Sequence, residues 1–378
     1  MLENTSNGGA EPRLNTDGNV SQKGKKMKQK TIRSFVSILV LLVLLILPPL
    51  LNAQDEIFPN WKINPDKELN PNTEWLRQAK WGLFSHYMVH MPSGPVPEGM
   101  TGKKWNKKVN SFQIKKFADQ LTELKVPYFF ITIGQGGGYY CSPNKSYEKL
   151  FGPSDGKLSK RDLVLELGKE LTSRGIRLGV YLPALGRRDD PDKQKMYREV
   201  ITEWSTRWGE LVSAWWIDGA VYQSPEVFKA YTDAFKSGNP KSIVAYNVGP
   251  VGTRRQQLVP VTEYEDFLAG ECDYVLPTCA NIPEVLAKGR HFNMYETTDY
   301  YRGPNILGDQ LHFLNFLGSW WSTGQPRFPD ELVIGWTEHI IDNSGAVTWD
   351  LPLSDDGIIP ENYFNQVKAL SSAVGDRK

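Results

Sequence analysis

A barrel of eight parallel strands, each followed by a helix, is the fold this sequence predicts, and three observations carry the prediction. Strand-like and helix-like segments alternate from about residue 75 almost to the end, which means parallel strands joined by crossover helices. The repeats number about eight in one uninterrupted stretch, so a closed (β/α)8, TIM-like barrel in a single α/β domain is favoured over an open doubly wound sheet. No GxGxxG follows the first strand, which removes the phosphate-cradling turn of a dinucleotide fold.

The elements follow in order. Trp81–Tyr87 is a strand by its apolar run, and Ser111–Leu124 a helix with Phe112, Ile114, Phe117, Leu121 and Leu124 on one side. Tyr128–Gly134 is a buried strand, Leu163–Arg174 a helix, Arg177–Leu182 a strand and Lys193–Val212 a helix. The stretch Ala214-Trp215-Trp216-Ile217-Asp218-Gly219 is a strand ending in a carboxylate, with a glycine to let the chain turn. After it come a helix at Pro225–Ser237 and strands at Ser242–Asn247, Tyr274–Pro277 and Phe292–Glu296. Gln310–Trp321 is expected as a helix, Ala346–Leu351 as the last strand and Glu361–Leu370 as the closing helix.

The first 53 residues stand apart. Residues 1–26 are polar; Met27 is a plausible true start; Lys28, Lys30 and Arg33 then lead into the apolar run Phe35–Leu47. The run is short for a bilayer, closes at Pro48-Pro49 and is followed by Asn52-Ala53-Gln54, which predicts a cleaved signal peptide and an exported protein, periplasmic or extracellular, with no stable membrane insertion. An uncleaved anchor is the competing reading, because Leu50 and Leu51 lengthen the run. Residues 54–74 form an N-terminal extension and 75–373 the barrel.

Composition narrows the function. Forty-four basic residues balance 43 acidic ones, so no nucleic-acid or anionic-membrane partner is implied. Cys141, Cys272 and Cys279 lack metal-ligand spacing, and the five histidines form no HExxH, so no metal and no cofactor is expected. A Cys272–Cys279 bridge and free thiols both remain open.

Chemistry-bearing residues collect at the C-terminal ends of the expected strands, the face on which parallel α/β enzymes build their sites. They are His86 and Tyr87, Gln135 with Tyr139 and Tyr140, Tyr181, Asp218, Asn247, Glu296 and Asp350. Aromatic faces, Trp216 among them, stack on a pyranose, hydrogen-bonding groups fix its hydroxyls, and two carboxylates then perform the chemistry. The plainer readings are a helix-capping aspartate for Asp218, a core histidine for His86, a surface ion pair for Glu296 and packing for Tyr300-Tyr301 and Trp320-Trp321.

At these residues the chain resembles the α-L-fucosidases of glycoside hydrolase family 29. The family's opening motif, a tryptophan and then AKFGIFIHW, is matched by Trp75 and Ala79-Lys80-Trp81-Gly82-Leu83-Phe84-Ser85-His86-Tyr87. Its arginine-aspartate-leucine-valine helix start and the strand after it are matched by Arg161-Asp162-Leu163-Val164 and Arg174–Tyr181, and its nucleophile motif by Trp216-Ile217-Asp218-Gly219. The tryptophan-glutamate pair of some members is matched by Tyr295-Glu296, and the segment closing the barrel by Val347–Pro352 and Asp356–Pro360.

The resemblance implies a retaining exo-glycosidase with Asp218 as nucleophile and Glu296 as acid/base. Glu263, Glu265 and Glu271 lie in a loop that could reach the same site, Glu265 being the preferred alternative. It makes His86 a sugar ligand, and Tyr87, Gln135, Tyr139, Tyr140, Tyr181, Trp216 and Asn247 complete the expected substrate contacts. The substrate expected is a terminal α-L-fucosyl or related residue of a glycan. The family's histidine pair, as in KHHDGF, is replaced by Gln135 and Gly136, Tyr87 stands for a tryptophan, and the usual C-terminal β-sandwich has no counterpart in these residues. These departures keep open a barrel that only binds carbohydrate, and an enzyme of the same mechanism acting on another α-sugar such as galactose.

Overall fold

The computed structural model describes residues 67–90, 92, 94–135, 137–183, 190–219, 224–247, 262–272, 305–306 and 308–375. The leader, the apolar run and the segments Tyr274–Pro277 and Phe292–Glu296 lie outside the described residues.

Seven parallel strands form one sheet: β1 Trp81–Ser85, β2 Tyr128–Thr132, β3 Arg177–Pro183, β4 Val212–Asp218, β5 Ile243–Tyr246, β6 His312–Phe316 and β7 Ala346–Asp350. Their order is β6-β7-β1-β2-β3-β4-β5, and the sheet curls into a half-barrel. The strands are buried almost throughout, as in a parallel sheet covered on both faces; in β4 only Asp218, at the end, escapes full burial. Each strand from β2 to β4 is reached through a helix, among them Leu163–Ser173, which is capped by Asp162: its carboxylate accepts from Leu165 N at 3.0 Å and closes the first turn.

Between the sheet's edges runs a segment that is no regular strand. Asp266 N donates to Val244 O of β5 at 2.8 Å, Leu268 N to Gln310 O at 3.1 Å, Leu314 N of β6 to Gly270 O at 2.8 Å, and Cys272 N to Leu314 O at 2.9 Å. Residues 266–272 therefore hydrogen-bond to both edges, in parallel with β6 through Phe267 and Glu271. Gly270 breaks the regularity, with φ at +65°, and a β-carbon there would come within 2.0 Å of His312 O. Among the described residues the sheet has seven regular strands and this stave; two of the eight expected strands lie outside them. One apolar core draws on the strands and the stave together, with Phe84, Phe130, Tyr181, Trp216, Phe267, Ala269 and Leu314 among its members.

One expected helix is a strand. Gln310–Trp321 holds β6 and the turn after it, because His312-Phe313-Leu314-Asn315-Phe316 is buried at every position rather than on one face. Its spacing of Leu311, Leu314, Leu317 and Trp321 mimics a helical stripe, and short apolar runs carry no period that separates the two. The expected helix Ser111–Leu124 runs from Ile114 to Glu123; Ser111 instead ends a preceding helix, Gly102–Ser111, and Phe112 is extended between the two.

Candidate active site

Asp218 is the last residue of β4, and three donors hold its carboxylate. Tyr181 OH donates to Oδ2 at 2.6 Å, while Asn247 Nδ2 and the Gly219 backbone N–H donate to Oδ1 at 2.9 and 2.8 Å. Tyr181 comes from β3 and Asn247 from the residue just after β5, so three adjacent strands converge on one group. Tyr181 is fully buried; burial first, and then the charge of Asp218, push its phenol well above the ordinary value, so it stays protonated and donates. Its ring stacks on Trp216 with centroids 5.3 Å apart.

Glu271 faces the same place from the stave. Asn247 Nδ2 donates to Glu271 Oε2 as well as to Asp218 Oδ1, one hydrogen to each. Oxygens that share one donor nitrogen lie no more than about 6 Å apart, two hydrogen-bond lengths. Asp218 and Glu271 also line a common cleft, together with His86, Gln135, Tyr181, Trp216, Trp320 and Trp321. Pro92 and Leu314 complete its wall, and Trp320 Nε1 donates to Pro92 O at 3.3 Å, tying two loops together.

His86 is oriented from behind. Its Nδ1 lies 2.9 Å from Oδ1 of the fully buried Asp350 at the end of β7, and a carboxylate accepts only, so Nδ1 carries the hydrogen and Nε2 is left for the cleft. Ser322 braces the pair: its Oγ donates to Asp350 Oδ1 at 2.7 Å and accepts from His86 N at 2.7 Å, and its backbone N–H donates to Asp350 Oδ2. Asp350 is thus the barrel-end hydrogen-bonding group its position suggests.

The structure brings together Asp218, His86, Gln135, Tyr181 and Trp216, with Asn247 behind them. Tyr87, Tyr139 and Tyr140 are not among the residues that line the cleft: Tyr87 donates to backbone oxygens of Lys108 and Asp355, Tyr139 packs on Trp105 and Lys157, and Tyr140 on Tyr147 and Trp204. Glu265 is turned away too, its carboxylate accepting from the backbone of Thr262 and Tyr246. Glu296 lies outside the described residues. Two cleft residues were expected only to pack, Trp320 and Trp321, and of the loop acids Glu263, Glu265 and Glu271 expected within reach, the preferred Glu265 is displaced at the cleft by Glu271. Its one signal is a carboxylate beside a glycine after the apolar Phe267-Leu268-Ala269. Among the described residues no group of His, Cys, Asp and Glu is placed to hold a metal ion.

No protein-family profile and no curated protein matches the sequence. Solved structures do match. An endo-fucoidan hydrolase of glycoside hydrolase family 107 is 18% identical over 82% of this chain and 54% of that one, with a TM-score of 0.58. A second endo-fucoidan hydrolase of that family is 14% identical over 80% of this chain and 93% of that one, with a TM-score of 0.59. The α-L-fucosidase AlfC of Lactobacillus casei, solved with its α-L-fucose product, is 14% identical over 80% of this chain and 98% of that one, with a TM-score of 0.55. The chain spans about half the length of the first of these. At such identities the likeness is one of fold: the chain has the α/β fold that fucoidan hydrolases and α-L-fucosidases share.

Proposed function

We propose that the protein is an exo-acting retaining glycoside hydrolase that removes a terminal α-L-fucosyl residue from a glycan. The observation that carries the proposal is the pair of carboxylates, Asp218 and Glu271, joined through one amide nitrogen at the floor of a tryptophan-lined cleft. Retaining enzymes hold their two carboxyl groups ~5–5.5 Å apart and inverting ones ~6.5–9.5 Å apart, so a shared donor suits retention.

Asp218 is the nucleophile in this reading. Its Oδ2 accepts one hydrogen bond against two at Oδ1, which leaves Oδ2 the more available lone pair for the anomeric carbon. Glu271 is the group the described site offers to protonate the departing oxygen and then activate water, with Glu296 as the alternative. His86 Nε2 meets a sugar hydroxyl, and Trp216, Trp320 and Trp321 meet the apolar face of the ring. The wall tied by Trp320 and Pro92 supports binding of a chain end, hence exo action. The fucose assignment rests on the motif matches and on the shared fold.

The test is a panel of 4-nitrophenyl α-L-fucoside, α-galactoside and fucose-containing oligosaccharides, with Asp218→Asn alongside. Cleavage of the fucoside, lost by at least about a thousandfold in D218N, is expected. Cleavage confined to the galactoside, or binding without cleavage, would replace the proposal by one of the other two readings.

A further inference from the structure

We infer that Gln135 is a positioning residue that fixes the direction of the Tyr181 proton and thereby keeps a hydrogen-bond donor on the nucleophile Asp218. The inference rests on the reading of Asp218 given above.

Gln135 Nε2 lies 2.8 Å from Tyr181 OH, and Tyr181 OH lies 2.6 Å from Asp218 Oδ2. A phenol has one hydrogen. An amide nitrogen only donates, so the phenol oxygen accepts from Gln135, and its own hydrogen goes to Asp218. With the amide reversed, the Gln135 carbonyl would compete with Asp218 for that hydrogen. The polarity is therefore fixed along the whole chain of groups, and it is held at a cost: Gln135 Oε1 is buried with no hydrogen-bond partner.

The backbone holds Gln135 in register with its target. Ile133 N donates to Tyr181 O at 2.9 Å, so the chain leaving β2 is tied to the residue that Gln135 must reach. Gln135 then pairs with Tyr139 across a two-residue hairpin, closed by Gly138 N donating to Gln135 O at 3.0 Å with Gly138 at φ +74°. Gly134 has no substitute there, because a β-carbon would lie 2.2 Å from Tyr139 O. The ionisable groups around Tyr181 and Asp218 are His86, whose ring is 5.4 Å from that of Tyr181, Asp350 behind it, and Glu271 through Asn247. Among the described residues no hydrogen bond joins these groups to Tyr181 OH, which leaves Gln135 as the described group that sets its proton.

The test is a cycle of Gln135→Glu, Tyr181→Phe and the double variant, with Gln135→Ala as a second change at the same position. A carboxylate at 135 only accepts, so Q135E takes the phenol hydrogen from Asp218; Q135A removes the donor that fixes the hydroxyl and leaves its hydrogen free to turn away. Two readouts are taken, the acid limb of kcat/KM for 4-nitrophenyl α-L-fucoside and the 13C carboxyl titration of Asp218, assigned by its loss in D218N. In Q135E both midpoints should move toward neutral pH by about one unit, tenfold in proton concentration, and in Q135A in the same direction by about a third of that; midpoints equal in Q135A and wild type overturn the inference. In the Y181F background the Q135E shift should fall below about threefold, since the path through the phenol is gone. A Q135E shift that persists undiminished with Y181F is through-space charge and overturns the inference, as do equal midpoints in Q135E and wild type. A rise in KM without movement of either midpoint overturns it too, making Gln135 a sugar contact only. A protein that cleaves no fucoside yet shows the carboxyl pattern refutes the fucosidase reading and upholds the relay.

Discussion

Asp218 closes an otherwise apolar strand, and its three hydrogen bonds from Tyr181, Asn247 and Gly219 are what let a carboxylate stand there. That residue was legible because an acid at the end of an apolar run is conspicuous, and His86 because it directly follows the first strand. Glu271 was legible only as one of three loop acids within reach and could not be singled out, since the donor that brings it to Asp218, Asn247, lies 24 positions earlier in the chain, and pairing of that kind has no local pattern. The same reasoning explains Tyr139 and Tyr140: alternation and proximity to a strand end placed them near the site, but the hairpin carries them onto Trp105 and Trp204 instead. A prediction follows for the acid/base. Glu271→Gln should lower turnover of fucosides with poor leaving groups by roughly 10²–10⁴-fold, and that of the 4-nitrophenyl fucoside far less, because its leaving group departs with little protonation. Added azide should restore rate in that variant by replacing the water that needs a base. If Glu296→Gln shows this behaviour and E271Q does not, the acid/base is Glu296.

At the scale of elements, the regular strands announced themselves by continuous apolar runs, and the stave did not. Asp266–Cys272 carries two acids and a left-handed glycine, so no period of two or of 3.6 survives in it, and only hydrogen bonds to Val244, Gln310 and Leu314 reveal its place. Its entry is held by a buried ionic cluster. Lys67 reaches both the Glu265 carbonyl and Asp309, while Asp266 accepts from Asn70, Lys236 and the Val244 backbone. Burial, opposed by Lys67, pushes the Asp309 carboxyl up to about 7, and burial with the charge of Asp309 pushes Glu265 well above the usual carboxylate range. Both groups hold protons in the folded chain that they release when unfolded, from the ordinary carboxylate value up to about pH 7 for Asp309. Stability should accordingly fall as pH rises through that window. Asp309→Asn, neutral throughout, should flatten the decline. Urea midpoints at pH 5 and pH 8 measure it, and an unchanged difference between them in D309N would show that the cluster does not govern it.

For the whole molecule, the order of strands and helices as far as β5 and the convergence of side chains at the sheet's C-terminal edge were readable because a parallel α/β chain writes its topology in sequence order. The curled sheet, β6-β7-β1-β2-β3-β4-β5, is that topology, with its first and last strands joined through the stave. What the order of elements does not encode is which sugar the cleft accepts, for that depends on a few hydrogen bonds between residues far apart in the chain. The chemistry itself is open to direct observation. Hydrolysis of 4-nitrophenyl α-L-fucoside followed by proton NMR from the first minutes should show α-L-fucose appearing ahead of its β anomer, with D218N inert. β-L-fucose appearing first, or full activity in D218N, would contradict a retaining site built on Asp218.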